Sequence, residues 1–419
     1  MTHPSVPLKA LALAAQTGPF GSQLHASEYI EGGVPVVNPS NIKNGHLVAD
    51  QKATVTEETA DRLKIHELHT GDLVFARRGE LGRASVVSDK ECGWLCGTGS
   101  IRVRINHGAI YSPFARHALQ SAEIRGYFER CAVGSTMGNL NTEIVLGLPF
   151  PNPPADEQRR IAAFLDAETA RIDRLVALQT QVLDRLSELD TAIVDLAIDD
   201  LVDSVGVTPL RRFITGMDQG SSPQCESVPS NADEWGVLKV SCLRPGSFLA
   251  GENKRLPEDI EPNRRSEVRK GDLLITRANT PQLVGSTAVV PAVRQKLLLS
   301  DKIFRVGIDT RLDPHYVALI ASGSRVRALC SASSNGASQS MANIRFEEVK
   351  EWPIPAISQA EQKRVIAQVT RSRKRTSELR ARITRQLTLL AERRQALITA
   401  AVTGQIDVST ASGRGVDVP

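Results

Sequence analysis

No apolar run in this 419-residue chain approaches the roughly 20 residues needed to span a bilayer. The start, MTHPSVPLKALALAAQTGPF, holds only the short apolar stretch Leu8 to Ala15, interrupted by Lys9. An export signal would need a basic start and a longer apolar segment, so none is expected. Cysteines are few and scattered, at 92, 96, 131, 225, 242 and 330. Cys92 and Cys96 form a lone C-x3-C without a second pair at zinc-finger spacing, which leaves buried or free thiols and a cytoplasmic location as the expectation. Aromatic residues are only 4% of the chain, and the net charge is a small +4. That charge argues for no polyanionic partner by itself, so its placement has to carry any such argument.

Catalytic signatures are missing as well. The eight histidines include no H-E-x-x-H or comparable ligand spacing, so no metal is expected. No strand carries the clustered carboxylates and lysine of a nuclease. Asn152-Pro153-Pro154-Ala155 resembles the N-P-P-aromatic motif of adenine methyltransferases, but Ala155 offers no ring to stack on a flipped base and no glycine-rich cofactor loop precedes it. Two prolines ending a strand and starting a helix account for it better. The chain is expected to do no covalent chemistry and to bind no cofactor of its own.

What the sequence does contain is a repeat. Gly71-Asp72-Leu73-Val74-Phe75-Ala76-Arg77 returns as Gly271-Asp272-Leu273-Leu274-Ile275-Thr276-Arg277. Met137, Asn139, Pro149 and Pro151 return as Met341, Asn343, Pro353 and Pro355, and Glu157-Gln158-Arg159-Arg160-Ile161 as Glu361-Gln362-Lys363-Arg364-Val365. The offset drifts only from about 200 to 204, so one or two short insertions explain it.

Each copy has two parts. The first is strand-like and punctuated by Gly, Pro and Asn, with strands expected at 34–37, 73–75 and 100–105 and helix at about 113–131, matched by 314–330. That mixture reads as α+β. The second part is helical. Ile161, Leu165, Ile172, Leu175, Val182, Leu186 and Leu189 fall at alternating spacings of four and three, interrupted by Glu168 and Gln179. Val365, Val369, Leu379, Ile383 and Leu390 repeat the pattern more weakly. About 40 such residues would span roughly 60 Å as helix.

Charge suggests what covers the two stripes. Residues 155–200 hold 11 acidic and five basic residues (−6), whereas 361–395 hold 11 basic and three acidic (+8). Opposite signs favour each helix choosing the other, which would make an antiparallel coiled coil with pseudo-two-fold symmetry and a globular domain at each end. The arginines could instead form a solvated face, or contact phosphates.

The polar residues that cluster in both copies suit binding better than proton transfer. Arginine can grip guanine, asparagine or glutamine adenine, and serine or threonine a phosphate. The candidates are Asn41, Lys43, Arg77, Arg78, Arg83, Thr136, Asn139 and Asn141 in the first copy. In the second they are Lys239, Arg244, Arg277, Asn279, Gln339, Ser340 and Asn343. Turns and ordinary surface charges remain the alternative for each of them taken singly.

Taken whole, the chain resembles the specificity subunit of type I restriction–modification systems. The duplicated G-D-[LV]-[LVI] strand, the P-x-P…E-Q-[RK]-[RK] helix starts and the segment Ala400 to Ile406 carry the resemblance. It implies two tandem target recognition domains, at 1–152 and 205–355, each reading one half of an asymmetric split sequence in double-stranded DNA. Helices at 153–204 and 356–408 would set the spacer and dock two methyltransferase subunits, and 409–419 would be a flexible tail. Restriction subunits would join the complex. S-adenosylmethionine would sit on the methyltransferase partners, and ATP and magnesium on the restriction partners. The alternatives are a coiled-coil interaction scaffold without DNA readout and, against the missing motifs, a single-chain restriction–methylation enzyme.

Overall fold

The computed structural model describes residues 3–79, 82–106, 108–132, 140–333 and 341–408. The chain divides into two units, Met1–Gln179 with Thr384–Pro419 and Thr180–Ile383. Each unit therefore takes part of both long helices, Ala155–Val205 and Gln359–Thr403. The fold is α+β, as its sequence pattern implies.

In the first unit a four-stranded antiparallel sheet has the order Ala12–Thr17, Ser100–Ile105, Leu73–Ala76, Ala84–Val86. A smaller sheet runs Thr54–Val55, Val34–Val37, Leu95–Cys96, and its last pair is parallel. Strand Ser5–Pro7 pairs with Pro149–Pro151 where the long helix begins. The second unit repeats all three. Its main sheet runs Ile214–Gln219, Ile303–Ile308, Leu273–Thr276, Thr287–Val289, and its smaller sheet Asn253–Arg255, Gly236–Leu238, Leu297–Leu298. Thr208–Pro209 pairs with Pro353–Ile354. The duplication thus extends to strand order and register. One pairing, Ala278–Asn279 with Ala342–Asn343, is seen in the second unit alone among the described residues.

The helix expected at 113–131 is broken into Ser112–Ala118 and Ala122–Ala132, and its counterpart into Pro314–Ala321 and Ser324–Ser333. In the second unit the break allows close packing, because a Cβ on Gly323 would come within 2.6 Å of Ile198 on the long helix.

The long helices complete the globular cores. In the first unit Ile161, Ala162, Phe164 and Leu165 from the start of one helix join Ile398, Ala401 and Val402 from the end of the other, around Phe75, Phe114 and Phe150. In the second unit the roles are exchanged. Val365 and Val369 from one helix start join Val194 and Ile198 from the other helix end, around Tyr316 and Trp352. Burial of this many aliphatic groups, at about 1.5–3 kcal/mol each, binds helix to domain more strongly than any surface ion pair could.

The helices run antiparallel in both units. In the first, Asp173 pairs with Arg394 (3.1 Å) and Gln179 with Gln386 (3.2 Å). In the second, Ser187 accepts from Arg380 (3.2 Å) and Asp190 pairs with Arg380 (2.8 Å) and bonds Thr376. Partner numbers fall as helix numbers rise. The acidic side chains belong to the first helix and the cationic ones to the second, in the sense the charge count suggests. Gln179, which interrupts the apolar stripe, meets another glutamine there.

The stripe itself is buried unevenly. Ile161, Leu165, Ile172, Leu186, Val365, Val369 and Ile383 are buried and Leu390 is half-buried, whereas Leu175, Val182, Leu189 and Leu379 are exposed. A strict heptad requires one narrow seam. Near their ends these helices instead bury a wider face against the domains, taking in Ala162 and Phe164, and their middle stretches leave apolar residues open.

Two sequence features resolve into structural devices. Gln158 and Gln362 anchor the helix starts. Gln158 accepts from Tyr111 N (2.7 Å) and donates to the carbonyls of Ala109 (3.2 Å) and Pro153 (3.0 Å) and to Asn152 Oδ1 (3.1 Å). Gln362 accepts from Asp313 N (2.8 Å) and donates to Arg311 O (2.9 Å) and Ile357 O (3.0 Å). Asn152-Pro153-Pro154 lies between the strand Pro149–Pro151 and the helix, with Asn152 held by Gln158.

Candidate nucleic-acid interface

The repeated Gly-Asp lies at the start of a central strand and builds the domain from inside. Gly71 and Gly271 adopt φ of 85° and 93°, a turn open to glycine at little cost. Asp72 is fully buried, accepts from His69 N (3.0 Å) and is paired with Arg104 (3.2 Å). Asp272 accepts from Arg269 N (2.9 Å).

A second recurring arginine stands on the neighbouring strand. Arg102 donates to Ile65 O (3.0 Å), Glu67 O (2.7 Å) and Gln16 Oε1 (2.9 Å). Arg305 does the same to Arg265 O, Glu267 O and Asp218, each at 2.9 Å. These two were not among the sequence candidates, and they tie loop to sheet. The signal was an arginine flanked by apolar strand residues in each copy, Ile101 and Val103 in the first and Phe304 and Val306 in the second. Burial lowers the Arg102 pKa, and burial pushes the Cys96 thiol up to about 12, so that thiol stays protonated.

At the other end of that central strand stand Arg77 and Arg277. Each is fixed by two main-chain bonds. Arg77 N donates to Gly99 O (2.7 Å) and Arg77 O accepts from Leu140 N (3.0 Å); Arg277 N donates to Lys302 O (2.8 Å) and Arg277 O accepts from Ile344 N (2.9 Å). The strand end is therefore stitched, in both units, to a later stretch of the chain, at Leu140 in one and at Ile344 in the other. The side chains differ. Arg77 is half-buried and donates from Nε to Leu140 O (3.0 Å), while Arg277 is exposed and only approaches Asp301 O at 3.5 Å.

Around these arginines the other candidates separate. Asn141 caps the short helix Thr142–Leu146 by accepting from Ile144 N (2.8 Å). Asn343 is exposed on the strand that pairs with Ala278–Asn279. Asn279 is buried, accepts from Thr280 N (2.9 Å), and its Nδ2 has no hydrogen-bond partner among the described residues. Thr136, Asn139, Gln339 and Ser340 lie outside the described residues, as does the expected tail 409–419.

Most of the remaining candidates lie near a hairpin in each unit. Asn41 is buried in the turn before it, accepting from Asn38 N and donating to Val48 O, both at 2.9 Å. Lys43 is exposed on the hairpin, and it shares a cleft with Arg83, which donates to Pro39 O (3.4 Å). Arg78 is exposed. In the second unit Arg244 is exposed on the equivalent hairpin and Lys239 pairs with Glu252 (3.2 Å).

Residues 21–187 match the family described as the type I restriction modification DNA specificity domain. Among relatives, the chain is 35% identical over 173 residues to the type I restriction enzyme EcoEI specificity subunit of Escherichia coli, which covers 41% of this chain and 29% of that subunit. It is 22% identical over 315 residues to the EcoKI specificity subunit of Escherichia coli strain K12, covering 70% of this chain and 66% of that one. The matched segments thus span under a third and just under two thirds of these specificity subunits. A chain solved in work on complex assembly and conformational transition of the type I R-M system has a similar fold. The TM-score is 0.69 at 17% identity, over 97% of this chain and 98% of that one. No helix among the described residues is long and apolar enough to cross a membrane.

Proposed function

We propose that this chain is the non-catalytic, sequence-reading subunit of a type I restriction–modification complex. Residues 1–152 and 205–355 each read one half of a split site in double-stranded DNA. The helices 153–204 and 356–408 set the unread spacer and dock two methyltransferase subunits. Adenine methylation belongs to those partners, which carry S-adenosylmethionine, and ATP- and magnesium-dependent steps belong to restriction subunits, all of them working in the cytoplasm.

The observation that carries this reading is the stitched strand end. Both units hold an arginine at one structural position, at the end of a central strand, with its N–H and carbonyl bonded to two different segments. Rigid placement lowers the entropy lost when a side chain contacts a base edge. The two positions are equivalent in backbone and different in side-chain surroundings, which suits two half-sites of different sequence. Arg77 is used in part by Leu140 O, so Arg277 is the freer reader of the two.

The test is duplex binding by the full chain with its methyltransferase subunits, measured across salt concentrations. Binding should weaken steeply with salt, and Arg277→Ala should cost about 1–3 kcal/mol with relaxed preference at one base pair. A flat salt response would contradict DNA reading and favour a protein scaffold. An Arg277→Ala protein with unchanged preference would remove that residue from the interface.

A further inference from the structure

The first unit contains a cleft of about 730 Å³, within the usual range for ligand sites. One wall is the hairpin Ile42–Lys43/His46–Leu47 and its turn, Asn44 (φ 52°) and Gly45 (φ 77°). The other walls come from Gly82 to Ala84, the helix-break region at Leu119 and Gln120, and the long helices at Asp173, Arg394 and Gln395.

The lining is strongly cationic. Lys43, Arg83, Arg125 and Arg394 face it together with His46, and Asp173 is the one carboxylate among the lining residues. That carboxylate is engaged by Arg394 Nε at 3.1 Å. Neutral groups also orient two of the guanidiniums, those of Arg394 and Arg125. Arg394 Nη1 donates to Gln120 Oε1 (3.2 Å), Arg125 Nη2 donates to Gln395 Oε1 (3.4 Å), and Gln395 Nε2 donates to Gln120 O (2.8 Å). Glutamine orients a cation without neutralising it. The cleft therefore keeps an excess positive charge on a pre-arranged frame, in a recess where water screens less than on an open surface.

The second copy lacks this arrangement. Its hairpin turn Gly246 lies over Arg373, whose Nη1 would be 3.2 Å from a Cβ there. Arg373 donates to Ser322 Oγ (3.1 Å), and Ser322 stands where the first copy has Gln120. At the helix position matching Arg394 stands Asp190, and the arginine matching Arg125, Arg327, is turned onto the carbonyls of Val284 (2.6 Å) and Gln282 (2.7 Å). The cationic cleft is thus a feature of one half of the duplication.

We propose that this cleft is a phosphate-binding site particular to the first unit, gripping a backbone phosphate of duplex DNA outside the bases that unit reads. The proposal rests on the DNA reading only for the source of the phosphate; the cationic frame is independent of it. Lys43 and Arg125 are the phosphate contacts, while Arg394 also belongs to the helix pair.

The experiment compares the full wild-type chain with Lys43→Ala/Arg125→Ala, with circular dichroism melting used to confirm that the variant is folded. Lys43 is exposed on a hairpin and Arg125 on a helix surface, and Lys43→Ala alone serves if the double variant melts early. In the first arm, the slope of log affinity for duplex DNA against log salt should be shallower in the double variant by about 0.9 for each lost phosphate contact. Arg244→Ala, on the hairpin of the other copy, should leave the first unit's contribution to that slope in place. In the second arm, inorganic phosphate is titrated at constant ionic strength. A melting shift seen in the wild type and lost in the variant, with an unchanged DNA slope, would assign the site to a free phosphate ligand. Unchanged DNA slope together with no variant-dependent phosphate effect would overturn the proposal. Failure of the wild-type chain to bind DNA with any salt dependence would overturn the DNA reading separately, leaving the phosphate arm to decide the cleft.

Discussion

Gln362→Leu is expected to destabilise the second unit by about 3–5 kcal/mol. The side chain is fully buried and satisfies three main-chain groups, Asp313 N, Arg311 O and Ile357 O. Leucine fills a similar volume but leaves all three without partners in a place water does not reach, and each such loss costs about 1–3 kcal/mol. One of the three, Asp313 N, belongs to the cap of the helix Pro314–Ala321, which packs into the core around Trp352. At about 2–4 °C per kcal/mol for a unit of this size, the melting temperature should fall by about 6–20 °C. Urea unfolding followed by tryptophan fluorescence checks this. A midpoint shift below the equivalent of about 1 kcal/mol would show that the glutamine is not what fixes the helix start.

If the proposed function holds, exchanging residues 205–355 for the corresponding domain of one of the similar specificity subunits is expected to abolish methylation at the original site and create it at a new one. The new site should keep one half-sequence and change the other. The cut points favour the exchange, because Thr208–Pro209 pairs with Pro353–Ile354 and brings the two junctions together. The junction lies on the core, however. Val194, Ile198, Val365 and Val369 stay with the helices and must pack on whatever domain replaces the original. A graft with matched apolar volume at those contacts should assemble, and one with mismatched volume should lose stability before it loses specificity. Change in both halves would contradict the assignment of one domain to one half-site, as would change in neither. Sequencing the methylated sites of the chimera decides between these outcomes.

Much of the fold was legible before any coordinates. The repeat of Gly-Asp and of Glu-Gln implied two copies, and both copies have the same strand order. The opposite charges of the helices implied pairing, and Asp173–Arg394 and Asp190–Arg380 show it in each unit. What periodicity could not report is which neighbour covers an apolar position. Leu175 and Leu379 fit the stripe as well as Ile161 and Val365 do, yet the first pair is exposed and the second buried, because the globular cores cover only the helix ends. The arginines that tie loop to sheet were also missed. Arg102 and Arg305 look like surface charges in sequence, and only the loop carbonyls brought to them by the sheet explain them. For the candidate interface, residue type pointed to the strand ends at Arg77 and Arg277 but could not separate Asn41, whose amide is used within its own turn, from Asn343, which is exposed. Polar side chains satisfy the backbone and bind ligands with the same atoms, so composition alone does not tell the two uses apart.

The central claim is that this chain reads a split DNA sequence and directs methylation there. Genome-wide mapping of methylated adenine in the host, with and without the gene for this chain, tests it most directly. The account predicts a motif of two unlike half-sequences separated by a fixed unread spacer, methylated on both strands and absent from the deletion strain. An identical methylation pattern in the two strains, or loss of a continuous rather than a split motif, would contradict it.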